Sequence, residues 1–249
     1  MCIRDSPLPL WSTTLTIKAK EGHYLEAENL EQFLVFNTVK HFKDTRSLIS
    51  LPVDGFAFSE KALFDYDYQT DGSISDIEAT NYSALTMAVF RRASELSGLS
   101  IEQRIKLEII RLDFIRNNSS LSSKEELYIK SLNELKSRFS GETGVESAYC
   151  KLITHYLQEG DRTRAYANQY GYDPYTKAAE YLTTLEAANP STEYNETIKN
   201  FKHRLNQVEL AVTMERVYVP NENILAALRY RNLNEACLLY TSPSPRDRG

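Results

Sequence analysis

No run of 18 apolar residues occurs anywhere in the 249-residue chain, so no segment reads as a membrane-spanning helix. The chain also lacks G-x-S-x-G, a glycine-rich phosphate loop and H-E-x-x-H, which removes the common signatures of serine hydrolases, nucleotide-binding enzymes and zinc proteases. Its four histidines, His23, His41, His155 and His203, are widely spaced and form no ligand pair at a metal-binding interval. Surface or core packing accounts for them. The expected protein is therefore non-catalytic, with no cofactor and no metal site among its firm assignments.

Cysteine is scarce, and its positions direct attention to the chain ends. Residues 1–6, Met1 to Ser6, can be written as ATG TGT ATA AGA GAC AG. The complementary strand, read in another frame, contains TGT CTC TTA TAC ACA T. That string encodes Cys237, Leu238, Leu239, Tyr240 and Thr241. The two ends thus read as opposite strands of one inverted element, and resemble a translated sequencing-library adapter, with Ser242 to Gly249 as its remainder. Residues 1–6 and 237–249 are accordingly set aside as artefact, and the native sequence is expected to be a piece of a longer protein. Of the three cysteines only Cys150 then remains, which excludes an internal disulfide and fits a buried small hydrophobe. Without Arg4, Arg246, Arg248, Asp5 and Asp247, the 29 basic and 34 acidic residues become 26 and 32, a net charge of −6. That balance argues against a nucleic-acid-binding surface.

What is present is helical periodicity. After an irregular lead-in at 7–25, apolar residues recur at helical spacing through 26–207. The pattern predicts helices at about 26–44, 78–97, 101–117, 123–139, 143–158, 174–188 and 192–207. Ser100 with Gln103, and Ser122 with Glu125, form capping-box pairs, while Asp173 before Pro174 supplies an acidic cap and a proline at the first helical position. Gly98, Gly160 and Pro190 are read as stops. In the segment 101–117, Ile101, Ile105, Ile109 and Leu112 lie on one side, with Leu107, Ile110 and Phe114 shifted round from them. Such a wide stripe suits an interior helix touching two neighbours. Ala178, Leu182, Leu185 and Pro190 are spaced as in the second helix of a tetratricopeptide repeat, and Tyr149, Leu152 and Tyr156 suit the first. The stretch Gly160 to Asp173 is too long for the usual turn and reads as an insertion. Short connections make neighbouring helices antiparallel. The expected fold is mainly α, a tetratricopeptide-like stack of antiparallel helical hairpins (an α-solenoid).

Beyond Gln207 the period shortens to two. Leu210, Val212 and Met214 alternate with Ala211, Thr213 and Glu215, and a second β-like run covers Leu225 to Tyr230 after the turn signal Pro220 to Asn223. Residues 208–236 therefore read as the first strands of a truncated β domain.

The segment TMERVYVPNENILAALRYRNLN resembles the opening of the first macroglobulin-like β domain in the large bacterial alpha-macroglobulin family. Upstream, LEIIRLDFIRNNS, KEELYIKSLNELKSRF and ESAYCKLITHYLQEG are similar to the helices that precede those domains. The resemblance spans most of Glu26 to Asn234, with V-Y-V-P-N and Y-R-N as its distinctive strings. It implies a secreted or membrane-tethered protein of the cell envelope, in the periplasm or on the outer membrane, that entraps attacking proteases as an endopeptidase inhibitor. The family's bait segment and Cys-Gly-Glu-Gln thioester are absent here. Cys150, within Tyr149, Cys150, Lys151 and Leu152, fits no thioester pattern, so no functional residue carries over. The implied role of this piece is scaffolding or contact with protein partners. The alternative is a free-standing tetratricopeptide-type interaction or nutrient-binding lipoprotein.

Two further constellations bear on function. Asp67, Gln69, Asp71, Gly72, Ser73, Ile74 and Glu78 fall at positions 1, 3, 5, 6, 7, 8 and 12 of a calcium-binding EF-hand loop, with Gln69 the departure from the expected Asp or Asn. The other reading is an acidic turn before a helix starting near Glu78, with Asp76 as its cap. Tyr166, Tyr170, Tyr172 and Tyr175 cluster in the insertion, where they could line a contact surface, whereas Tyr149, Tyr156 and Tyr181 stand at helical spacing suited to core packing.

Overall fold

Several helix starts in this chain are set by side chains that accept from free backbone amides. In the computed structural model, which describes residues 5–11, 27–44, 58–66, 68, 82–163, 173–214 and 226–237, the Ser100–Gln103 box forms in both directions. Gln103 N donates to Ser100 Oγ at 3.1 Å and Ser100 N to Gln103 Oε1 at 2.8 Å. Asp173 likewise accepts from Tyr175 N at 3.1 Å and from Thr176 Oγ1 at 2.9 Å. The described residues contain seven α-helices: α1 Leu30–Asp44, α2 Tyr82–Ser94, α3 Ile101–Asn118, α4 Lys124–Arg138, α5 Glu146–Thr163, α6 Pro174–Ala187 and α7 Asn195–Asn206. Two strands follow, β1 Glu209–Met214 and β2 Ala226–Arg231. The fold is thus mainly helical, helices stacked in chain order and then strands, as the sequence pattern predicts.

Several local expectations change. The first helix begins at Leu30 rather than 26, because Asn29 Oδ1 accepts from Gln32 N at 2.9 Å and fixes the start there. The Ser122–Glu125 box does not form. α4 begins at Lys124 behind Ser123 with no side-chain cap, since Arg116 Nε holds the Glu125 carboxylate at 2.9 and 3.1 Å. Gly160 is not a stop: α5 continues through it to Thr163, inside the expected insertion. A Cβ at Gly160 would lie 2.8 Å from the ring of Tyr175, so glycine is there to let α6 approach. The last predicted helix opens as a 3-10 turn at Thr192–Tyr194 before α7.

The chain divides into two compact units, residues 1–194 and 195–249. In the first, each helix from α1 to α6 packs on the next, and α3 also reaches α5. A 3-10 turn at Lys61–Phe64 inserts against α3 and α4. One core cluster runs through these elements, with Leu63, Phe64, Ile105, Leu112, Ile115, Tyr128, Leu132 and Leu152 almost wholly buried. Ile101, expected on the apolar stripe, is 40 % exposed at the helix start, while Arg111 lies inside it. Before α5, Gly144 has φ +96° and sits against the α3 backbone, where a Cβ would come within 2.8 Å of Glu102 Cα. Ala178 and Leu185 are fully buried and Leu182 nearly so, the contacts expected of a repeat's second helix.

The second unit holds α7 and an antiparallel β1–β2 hairpin, in register from Glu209↔Arg231 to Met214↔Ala226. Alternation places Leu210, Val212 and Met214 with their partners Tyr230, Leu228 and Ala226 on one face. The five larger side chains of this face are each 48 to 62 % exposed. Arg231 Nη2 and Asn232 Nδ2 both donate to the Leu205 carbonyl (3.2 and 2.6 Å), which closes the C-terminal end of α7.

Candidate functional site

Three places in the helical unit bring polar chemistry together. The first joins α3, α4 and α5 through Asp113, whose Oδ1 accepts from the Tyr128 hydroxyl at 2.6 Å and whose Oδ2 accepts from Lys151 Nζ at 2.6 Å. Burial, and then the Asp113 charge, push the Tyr128 hydroxyl far above its ordinary value, so it stays a donor. Arg116 lies 4.7 Å over the Tyr128 ring while gripping Glu125. His155 is 7 % exposed beside this group, with Nδ1 3.5 Å from Glu125 Oε2 and Nε2 3.8 Å from Glu159 Oε2. Its Nδ1 makes no hydrogen bond. Burial, and then Arg116, lower its pKa, so it is neutral at pH 7. The arrangement ties helices together; it does not set a nucleophile against a base.

The second place is an aromatic face on α4, α5 and α6. Tyr156 and Tyr181 stack at 5.7 Å and 16°, and Tyr149 meets Tyr181 edge-on at 6.4 Å. Lys136 Nζ stands 4.9 Å over Tyr181 and 5.5 Å over Tyr149, and burial lowers its pKa. The Tyr181 hydroxyl donates to Asn133 Oδ1 at 3.0 Å. These three tyrosines, expected in the core, are half-buried at its edge, with Tyr181 packed against the core cluster.

The third is a cleft between α2 and α3, closed on one side by Tyr66 and Tyr68. Met87, Phe90, Leu99 and Leu107 make its apolar floor. Arg111 crosses beneath, donating from Nη1 to Leu63 O at 2.6 Å, from Nη2 to Asp65 O at 2.8 Å and from Nε to Glu108 Oε2 at 2.8 Å. A fully paired buried arginine of this kind fastens the 58–66 segment to the stack. The sequence signal was a charge inside the α3 apolar stripe.

The remaining expectations distribute as follows. Asp71, Gly72, Ser73, Ile74, Asp76 and Glu78 of the calcium-type loop, with Asp67 and Gln69, lie outside the described residues. So do Tyr166, Tyr170, Tyr172 and His23. Tyr175 is described: its hydroxyl donates to Asp161 Oδ1 at 2.6 Å and its ring rests on Gly160. Burial, and then Glu146, push the Cys150 thiol up to about 12, so it stays protonated as an inert packing group. His41 and His203 are exposed. Among the described residues no three His, Cys, Asp or Glu side chains converge on a metal position, and no helix is long and apolar enough to cross a membrane. No protein-family model, curated protein or solved structure matches the chain.

Proposed function

We propose that this chain is the helical scaffold that leads into the β domains of an alpha-macroglobulin-like, protease-trapping protein of the cell envelope, acting through protein contacts and not through chemistry of its own. The observation that carries the reading is the hairpin after the helices. Its two strands present a face made of Leu210, Val212, Met214, Leu228 and Tyr230, about half exposed. A lone two-stranded hairpin is marginal in water, and a contiguous bare apolar face of this kind is normally the inner side of a larger sheet assembly. The resemblance of residues 212–234 to the start of a macroglobulin-like domain supplies the identity of that assembly.

The test is to express the chain with the coding sequence that follows Ala236 in its parent gene and follow amide exchange in β1 and β2. Protection of both strands, together with loss of proteolysis of large but not small substrates when the whole protein meets a protease, is the expected result. Strands that exchange as freely as in the short chain, or a continuation made of helices, would overturn it. A free-standing interaction protein is the second reading, favoured by the half-buried tyrosine face on α4 to α6.

A further inference from the structure

Arg104 stands on the exposed side of α3 at the rim of the α2–α3 cleft, and its guanidinium has no hydrogen-bond or ion-pair partner among the described residues. Its cationic neighbours are committed elsewhere. Arg111 is held by two carbonyls and Glu108, and Arg91 Nε lies 2.9 Å from Glu95 Oε1. Because Arg111 neutralises Glu108, the acidic side chain of the lining does not cancel Arg104. The cleft therefore sets uncommitted planar donors beside a floor of buried carbon.

Size decides what such a cleft can take. It encloses about 60 Å³, against the roughly 300 Å³ or more of a pocket for a drug-sized ligand or cofactor. Since one water-sized sphere needs on the order of 10–15 Å³, the space suits a group of about five heavy atoms. A phosphate or sulfate would leave the apolar floor facing charge, whereas a carboxylate on a short hydrocarbon stem matches both halves.

We propose that this cleft receives a glutamate side chain from an acidic segment of a partner protein, its carboxylate on Arg104 and its methylenes over Phe90 and Leu107. The inference rests on the cleft alone and stands apart from the macroglobulin reading. It is tested by fluorescence anisotropy with a labelled hexaglutamate peptide and a hexaglutamine control. Expected are saturable binding of the acidic peptide alone, at least about tenfold weakening by Arg104→Gln, and a similar loss in Ser94→Trp, which fills the rim without changing charge. Lys130→Gln, on the outer side of α4, should leave affinity unchanged. Native-like binding by Arg104→Gln, equal binding of hexaglutamine, absence of saturation, or free glutarate binding more tightly than the peptide would each overturn the proposal.

Discussion

Gly160 occupies the interior of a helix, where alanine is ordinarily better by about 1 kcal/mol. Here the Tyr175 ring fills the place of the missing methyl, so Gly160→Ala must push that ring off α5 and break its hydrogen bond to Asp161. The substitution is expected to destabilise by about 1 kcal/mol in the native background, yet to stabilise by a similar amount when Tyr175 is alanine. Urea unfolding of the four proteins checks this, and the same sign in both backgrounds would refute it. His155 gives the second residue-scale prediction. Its charged form is disfavoured in the folded state by burial and Arg116, against the weaker pull of Glu125 and Glu159, with Arg162 adding to the disfavour. The unfolded chain therefore binds more protons as pH falls below about 6.5, and stability drops in that window. His155→Gln should flatten the fall in unfolding midpoint between pH 7.5 and 5.5; unchanged slopes would rule out His155 as its source. Neither residue's role was legible in the sequence. A glycine in a helix and a lone histidine look alike whether they pack or punctuate, and only the approach of α6 or α4 decides.

At the scale of elements, caps were readable wherever nothing competed for them. Ser100 with Gln103 and Asp173 with Pro174 act as their spacing says, because each partner lies within one turn. Ser122 with Glu125 fails because Arg116, nine residues upstream of Glu125, offers a charged bidentate partner across the α3–α4 turn that outweighs a neutral backbone amide. Arg111 extends the lesson, since its partners Leu63 and Asp65 are 46 to 48 residues away. Arg111→Met leaves two carbonyls and the Glu108 carboxylate without their donor, and is expected to cost about 3 kcal/mol. Limited proteolysis should then cut near 58–66 first. Adding Glu108→Gln is expected to restore part of the stability, and no restoration would show that the carboxylate was not the penalty.

Across the whole molecule, hydrophobic period told more than any motif. The switch from a 3.6-residue to a 2-residue repeat near Gln207 located β1 to within two residues, since strand alternation is a local property of the chain. The α2–α3 cleft stayed hidden, because Arg104, Phe90 and Tyr66 become neighbours only when separate elements pack. The exposed hairpin face belongs to this scale as well. Val212→Lys with Leu228→Glu is expected to lower binding of a hydrophobic dye to the chain while leaving helical circular dichroism intact, and unchanged dye binding would place the sticky surface elsewhere. One last consequence follows from Asp113, a single carboxylate answered by Tyr128 on α4 and Lys151 on α5. Excising α4 alone would strand that charge half-answered between surfaces never shaped to meet. A shortened version of this array that keeps α3 must therefore keep α4 and α5 with it, or give up Asp113 as well.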